Sequence, residues 1–323
     1  MGWRSSGEET PLVSEKQDVL LSSCPLLLPF LTHSAMLCRL CNLKESIENS
    51  HVIPRLVFRS IKSDSPTGFL RSYRTPNRRV QDGDKQPLLC QECENRFSIA
   101  EKEFAQNIFV PFHKLDQDHF SYGPWLHYFL TSLAWRTLVL DLPGFEADPT
   151  ITPSLLEPLQ ASLRTMQSYL RGAAHASDLI RHHMIVWTAA QKCSPELASI
   201  GPNVLIRRST VGYALINKRY GHAAVVHNMA GIIAVLNIKG NPRDNWLNTK
   251  VNPTGGVITQ PQNVASWVLG DLLDALMDRN RGISTCMSEK QREKILQELQ
   301  SNSAAGSLRH AMRDALLRST GQE

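Results

Sequence analysis

The chain has 323 residues, of which 42% are hydrophobic and 20% charged, with a formal net charge of +5. Those proportions are ordinary for a globular protein and exclude a wholly disordered chain, a collagen-like repeat and a coiled coil. The length allows two domains. A charge this mild does not itself argue for a nucleic-acid partner, but its uneven distribution matters.

Residues 1–35 read as a leader set apart from the folded chain. The apolar runs Val19–Leu21 and Pro25–Leu31 are too short to span a bilayer and are broken by Pro25 and Pro29. Glu8, Glu9, Glu15 and Asp18 outnumber Arg4 and Lys16. A secretory leader would be positive there, so the sequence predicts a cytoplasmic protein with no membrane partner. Met1-Gly2 with Ser6 fits a myristoylation pattern in form only. Met36, two residues before the first paired cysteine, is the start that the sequence favours.

Residues 36–145 are expected to form the first domain. The seven cysteines are Cys24, Cys38, Cys41, Cys90, Cys93, Cys193 and Cys286. Four of them form the pairs Cys38-Arg39-Leu40-Cys41 and Cys90-Gln91-Glu92-Cys93. The odd total and the pairing argue against a secreted disulfide framework. Four thiolates in two such pairs can close a tetrahedral, structural Zn²⁺ shell. The gap between the pairs is 48 residues, longer than in compact zinc ribbons.

That gap holds the strongest local charge. Arg55, Arg59, Lys62, Arg71, Arg74, Arg78 and Arg79 face only Asp64, with Phe69 and Tyr73 among them. Arg55, Arg59, Arg74, Arg78 and Arg79 are the candidate phosphate contacts. A solvated loop explains the same residues equally well. Gln81-Asp82-Gly83-Asp84 reads as a hairpin turn.

Beyond Cys93, Phe97, Ala100, Phe104 and Ile108 recur at helical steps. His113, Asp116, Asp118 and His119 fall in a loop between helices. Trp125–Leu140 predicts a buried helix, broken at Asp141-Leu142-Pro143-Gly144, with a domain boundary between 145 and 146. In residues 146–323, Leu159, Leu163, Met166 and Leu170 mark a helix face stopped by Gly172. Strands are expected at Val204–Ile206, Tyr213–Ile216, Ala223–Val226 and Ile232–Ile238, with a turn at Asn228–Gly231. Val264, Val268, Leu272 and Leu276 line another helix, and Ser288-Glu289-Lys290-Gln291 is a capping box. Blocks of helices and strands predict an α+β domain rather than a doubly wound sheet. Adjacent His182 and His183 are poor joint ligands because they point to opposite faces. Thr254-Gly255-Gly256 is a turn without a phosphate-loop lysine. Cys193 and Cys286 are expected to be buried thiols.

Ser50-His51-Val52-Ile53-Pro54 places a histidine ten residues after Cys41, and the second pair sits in Leu88-Leu89-Cys90-Gln91-Glu92-Cys93-Glu94. This order resembles the zinc-knuckle, treble-clef branch of the HNH (His-Me finger) endonucleases over about residues 38–105. The resemblance implies a ββα-metal fold with Cys38, Cys41, Cys90 and Cys93 on structural zinc. It implies His51 as general base and Glu94 as a ligand of catalytic Mg²⁺ or Mn²⁺. Asn77 is the best counterpart of the family's middle Asn, although it lies 13 residues before Cys90. Ser50 stands where the family has an acid or His, and Asp82 and Asp84 offer replacement oxygens. The implied activity is hydrolysis of DNA phosphodiesters, in settings such as restriction or phage defence. A non-catalytic zinc module that binds nucleic acid, and a zinc-supported protein-interaction scaffold, remain open beside it. The C-terminal domain is the candidate surface for a protein partner or homo-oligomer.

Overall fold

The runs 211–216, 223–226 and 229–236 are continuously apolar, as strands covered on both faces must be. The computed structural model describes residues 19–21, 36–47, 50–65, 67–175, 180–188 and 201–304. The N-terminal elements are β1 (Val19–Leu21), β2 (Ser50–His51), α1 (Arg55–Asp64), β3 (Leu70–Ser72), β4 (Thr75–Val80), β5 (Lys85–Gln86) and α2 (Gln91–Phe104). A π-helical turn at Ala105–Phe109 joins α2 to α3 (Val110–Leu115), and β6 (Phe120–Tyr122), α4 (Pro124–Ala147) and α5 (Pro153–Leu170) follow. Next come β7 (His182–Val186), α6 (Pro202–Arg207), β8 (Thr210–Asn217), β9 (His222–Met229) and β10 (Ile232–Lys239). The chain continues through β11 (Asn245–Leu247), β12 (Lys250–Val251), β13 (Gly256–Ile258), β14 (Asn263–Ala265), α7 (Trp267–Cys286) and α8 (Glu289–Ala304).

The main sheet is antiparallel in the order β1-β8-β9-β10-β7-β12. Side chains alternate along each strand. Ala214, Ile216, Ala223, Val225, Leu236 and Ile238 meet α4 and α5. Leu215, Val226, Ile233 and Val235 meet Val268 and Leu272 of α7. The molecule is therefore mixed α and β, with its sheet between helical layers. Ala230 and Gly231 turn β9 into β10 with φ of 55° and 99°, the positive values that a two-residue hairpin requires.

Several elements depart from the sequence reading. α4 runs on to Ala147, so the expected boundary at 145/146 falls inside it. Pro143 and Gly144 lie on its exposed side while Leu142 and Phe145 stay buried, so apolar anchoring outweighs the local helix breakers. One apolar cluster takes in Cys38, Phe97 and Trp135 together with Ala214 and Val225 from the sheet. Buried Arg136 of α4 pairs with Glu101 of α2 at 2.6 Å and lies over the Phe97 ring. Val204–Ile206 is helical, because Pro202 opens α6 and Ile206 packs beneath α7. Val264 lies in β14 opposite Trp246, since the Ser266 side chain caps α7 two residues later. Part of the leader also joins the fold, as Val19–Leu21 pairs along β8. Cys24, the apolar run at 25–31 and Met1-Gly2 lie outside the described residues.

Candidate metal centre and the His51 cleft

The first cysteine pair sits in a tight turn. The Cys38 N–H donates to the Lys44 carbonyl at 2.7 Å, the Asn42 N–H donates to the Cys38 carbonyl at 2.8 Å, and Asn42 takes φ 57°. The second pair opens α2, with Cys90 at its N-cap. Two backbone bonds tie the pairs together, Arg39 N–H to Leu88 O at 2.9 Å and Ile47 N–H to Leu89 O at 2.7 Å. The sulfurs of Cys38, Cys41, Cys90 and Cys93 all lie within 4.8 Å of one another.

Cys41 Sγ and Cys90 Sγ are 3.8 Å apart. A tetrahedron with Zn–S bonds of about 2.3 Å separates its sulfurs by about 3.8 Å. The four thiols can therefore hold a metal ion such as zinc. Burial pushes the Cys38 and Cys93 thiols up. Burial also acts upward on Cys41, but the Leu43 and Lys44 backbone outweighs it and brings that thiol down to about 7.

His51 and Ser50 lie on β2, which pairs antiparallel with β5 in the register Ser50↔Gln86 and His51↔Lys85. That two-strand unit precedes α2 directly. Buried Ser50 donates from Oγ to Glu94 Oε2 at 3.2 Å, in the first turn of α2. His51 Nε2 lies 3.2 Å from Asp82 Oδ2, an oblique approach without a directed hydrogen bond. The same oxygen takes Arg55 Nε at 3.2 Å and Lys85 Nζ at 3.3 Å. Burial raises the Asp82 carboxyl, but the Gly83 N–H, His51 and Lys85 prevail and hold it below the usual carboxylate range. Gly83 packs so closely on Phe58 that a Cβ there would stand 2.2 Å from the ring.

The structure joins Ser50 to Glu94 and His51 to Asp82, two contacts made by adjacent residues of β2, and takes Asn77 elsewhere. The Asn77 amide hydrogen-bonds Cys286 O and Ser288 N at the α7–α8 junction. Asp82, read from sequence both as a turn residue and as a source of replacement oxygens, is the carboxylate beside His51. Only the pairing of β2 with β5 reveals it, and the intervening insert hides that pairing from the sequence.

The five candidate phosphate-contacting arginines divide. Arg55 and Arg59 lie exposed on α1. Arg79 pairs with Glu298 of α8 at 2.9 Å and covers the Phe69 ring, while Arg74 sits against Tyr73. Arg78 is exposed on β4.

The other candidates resolve separately. His113 lies against Phe109 and Phe112, whereas His119 pairs with neighbouring Asp118. His182 faces Thr131 across the α4 interface at 2.9 Å, and His183 bonds Thr249 at 2.9 Å and stacks on Trp246. Gly255 turns into β13. Cys286, expected to be buried, is exposed at the end of α7, and Cys193 lies outside the described residues. Among the described residues, the four thiols are the only cluster of three or more His, Cys, Asp or Glu side chains placed to hold a metal. Among those residues no helix is long and apolar enough to cross a membrane. The chain matches no protein-family model, no curated protein and no solved structure.

Proposed function

We propose that the protein is a metal-dependent endonuclease of the HNH, treble-clef type, hydrolysing phosphodiester bonds in DNA with His51 as general base. The observation that supports it best is the meeting of β2, β5 and the first turn of α2, where Ser50 reaches Glu94 at 3.2 Å beside His51. A ββα finger would carry its general base on the first strand and a cation ligand on the helix, and His51 and Glu94 stand on such elements.

The side chains divide the work. Asp82 lies on the Nε2 side of the His51 ring, and Nδ1 is the nitrogen that would accept the proton of the attacking water. The water oxygen bonds to phosphorus, the P–O bond to the leaving oxygen breaks, and that oxygen takes a proton from solvent. Glu94 and Ser50 offer the oxygens that would hold a divalent cation, which typically takes one or two carboxylates and completes its shell with water and phosphate. A bound cation supplies charge neutralisation at the reacting phosphate.

A non-catalytic nucleic-acid-binding module is the second reading, favoured because the described metal-ready cluster comprises the thiols alone. Cleavage of supercoiled plasmid with Mg²⁺ or Mn²⁺, comparing the natural chain with His51→Ala at equal zinc content, separates the two. Cleavage by the natural chain alone supports the nuclease. No cleavage by either, with zinc present, moves the reading to the binding module.

A further inference from the structure

We infer that the outward face of α1 is a track for the sugar–phosphate backbone of duplex DNA leading to His51. The inference rests on the nucleic-acid reading above but not on cleavage.

α1 divides cleanly. Val57 is buried with Ile53, and Leu56, Phe58 and Ile61 pack into the same cluster. Arg55, Arg59 and Lys62 recur at i, i+4 and i+7, which places them on one helix face. Seven residues of helix span about 10 Å, the rise of about three phosphates on one DNA strand.

The placement of this charge points outward from the protein. The first turn of α1 contains no acid and begins with Arg55. Cations at a helix N-terminus oppose the macrodipole, so they do not serve the helix itself. Asp82 answers Arg55, and Gln81 takes Lys62 at 2.6 Å. The Arg59 side chain has no ion pair or hydrogen bond among the described residues. The stripe also has a direction. At its N-terminal end Arg55 and Lys85 converge on the carboxylate that touches His51. At its other end Arg208 donates to the Asp64 carbonyl. The β4 hairpin competes poorly for the same role, because Arg79 is committed to Glu298 and Arg279 of α7 lies over Tyr73.

The test is fluorescence anisotropy with a 20-base-pair duplex, without added divalent cation, over a salt series. The chains are the natural one, Arg59→Glu/Lys62→Glu, the neutral pair Arg59→Gln/Lys62→Gln, and Arg74→Glu/Arg78→Glu. Zinc content and thermal unfolding establish that each is folded, and the neutral pair serves if charge reversal is not tolerated. The α1 variants are expected to bind about tenfold more weakly at low salt, with the slope of log K against log salt reduced by about 2. The hairpin variant is expected to lose clearly less affinity than the α1 variants, and an equal loss in the two overturns the inference. Natural affinity in the folded α1 variants, or no binding by the natural chain, overturns the inference. Binding that depends on α1 without cleavage leaves it standing and removes the nuclease reading instead.

Discussion

Asn77 and Ser288, 211 positions apart, are joined by a 2.8 Å hydrogen bond from the Ser288 backbone N–H to the Asn77 side-chain oxygen. The same amide donates to the Cys286 carbonyl at 3.2 Å. One side chain thus spans the break between two helices, satisfying a carbonyl at the end of α7 and an N–H at the start of α8. Asn77→Ala is expected to lower stability by about 1–2 kcal/mol, read by denaturant unfolding. Cleavage per folded molecule should stay unchanged. Lost cleavage at unchanged stability would return Asn77 to the catalytic site.

The thiol cluster joins the two halves of the N-terminal unit, so metal and fold should be lost together. Elemental analysis is expected to find about one zinc per chain, since four thiolates complete one tetrahedral shell. Cys90→Ala removes a ligand from the turn that opens α2 and should abolish stoichiometric zinc while lowering the unfolding midpoint. A Cys90→Ala chain with full zinc and natural stability would show that the cluster is not the metal centre.

Buried histidines set the response to acid. His227 bonds Thr137 at 2.7 Å inside the α4 interface, and burial, aided by Arg136, pushes it down to about 3. Burial likewise pushes His113 and His183 to about 4. Unfolded histidines titrate near 6.5, so below that value the unfolded chain binds the additional protons. The stability that these neutral rings contribute is intact above about pH 6.5 and drains away as pH falls toward their folded values, at up to ~1.4 kcal/mol per pH unit for each ring. Asp271 acts oppositely: burial lifts it to about 6, so its contribution is present at low pH and lost as pH rises through 6. Three histidines outweigh one acid, and denaturant midpoints should fall between pH 7 and 4.5 at constant zinc content. Midpoints that hold steady or rise would contradict neutral buried rings.

Gly212 lies opposite His227 across β8 and β9, and a Cβ there would stand 2.4 Å from the imidazole. The ring is held by Thr137 through Nε2, itself 2.9 Å from that Cβ position, and has little freedom to retreat. Gly212→Ala should cost about 1–3 kcal/mol through overpacking, and combining it with His227→Ala should remove part of that penalty. Additive losses in the double variant would show that the ring is not what the methyl meets.

The thiol pairs were legible because their spacing alone defines a ligand set. The β8–β10 meander was legible because its apolar runs are separated by a Gly-containing turn. α6 was not, since a three-residue apolar run fits a strand or a helix and tertiary burial of Ile206 decides. The end of α4 was misjudged because Pro143 and Gly144 are strong local signals that burial of Phe145 overrides. Asp82 and Asp84 could not be told apart from sequence, because the meeting of Asp82 with His51 depends on two short strands pairing across the insert.

Cys41 and Cys90 are 49 positions apart, so the cluster ties the two ends of one large loop. A crosslink closing a loop of that length can remove about 4 kcal/mol of unfolded-chain entropy by the chain-entropy estimate. α1, the β3–β4 hairpin and His51 are all contents of that loop. Lengthening it adds only a logarithmic cost, while Cys90 and the start of α2 stay fixed by the knot. The cluster therefore anchors a loop whose β3–β4 hairpin can change in size or charge while Ile53, Val57 and Asp82, seated on the core and on His51, stay in place.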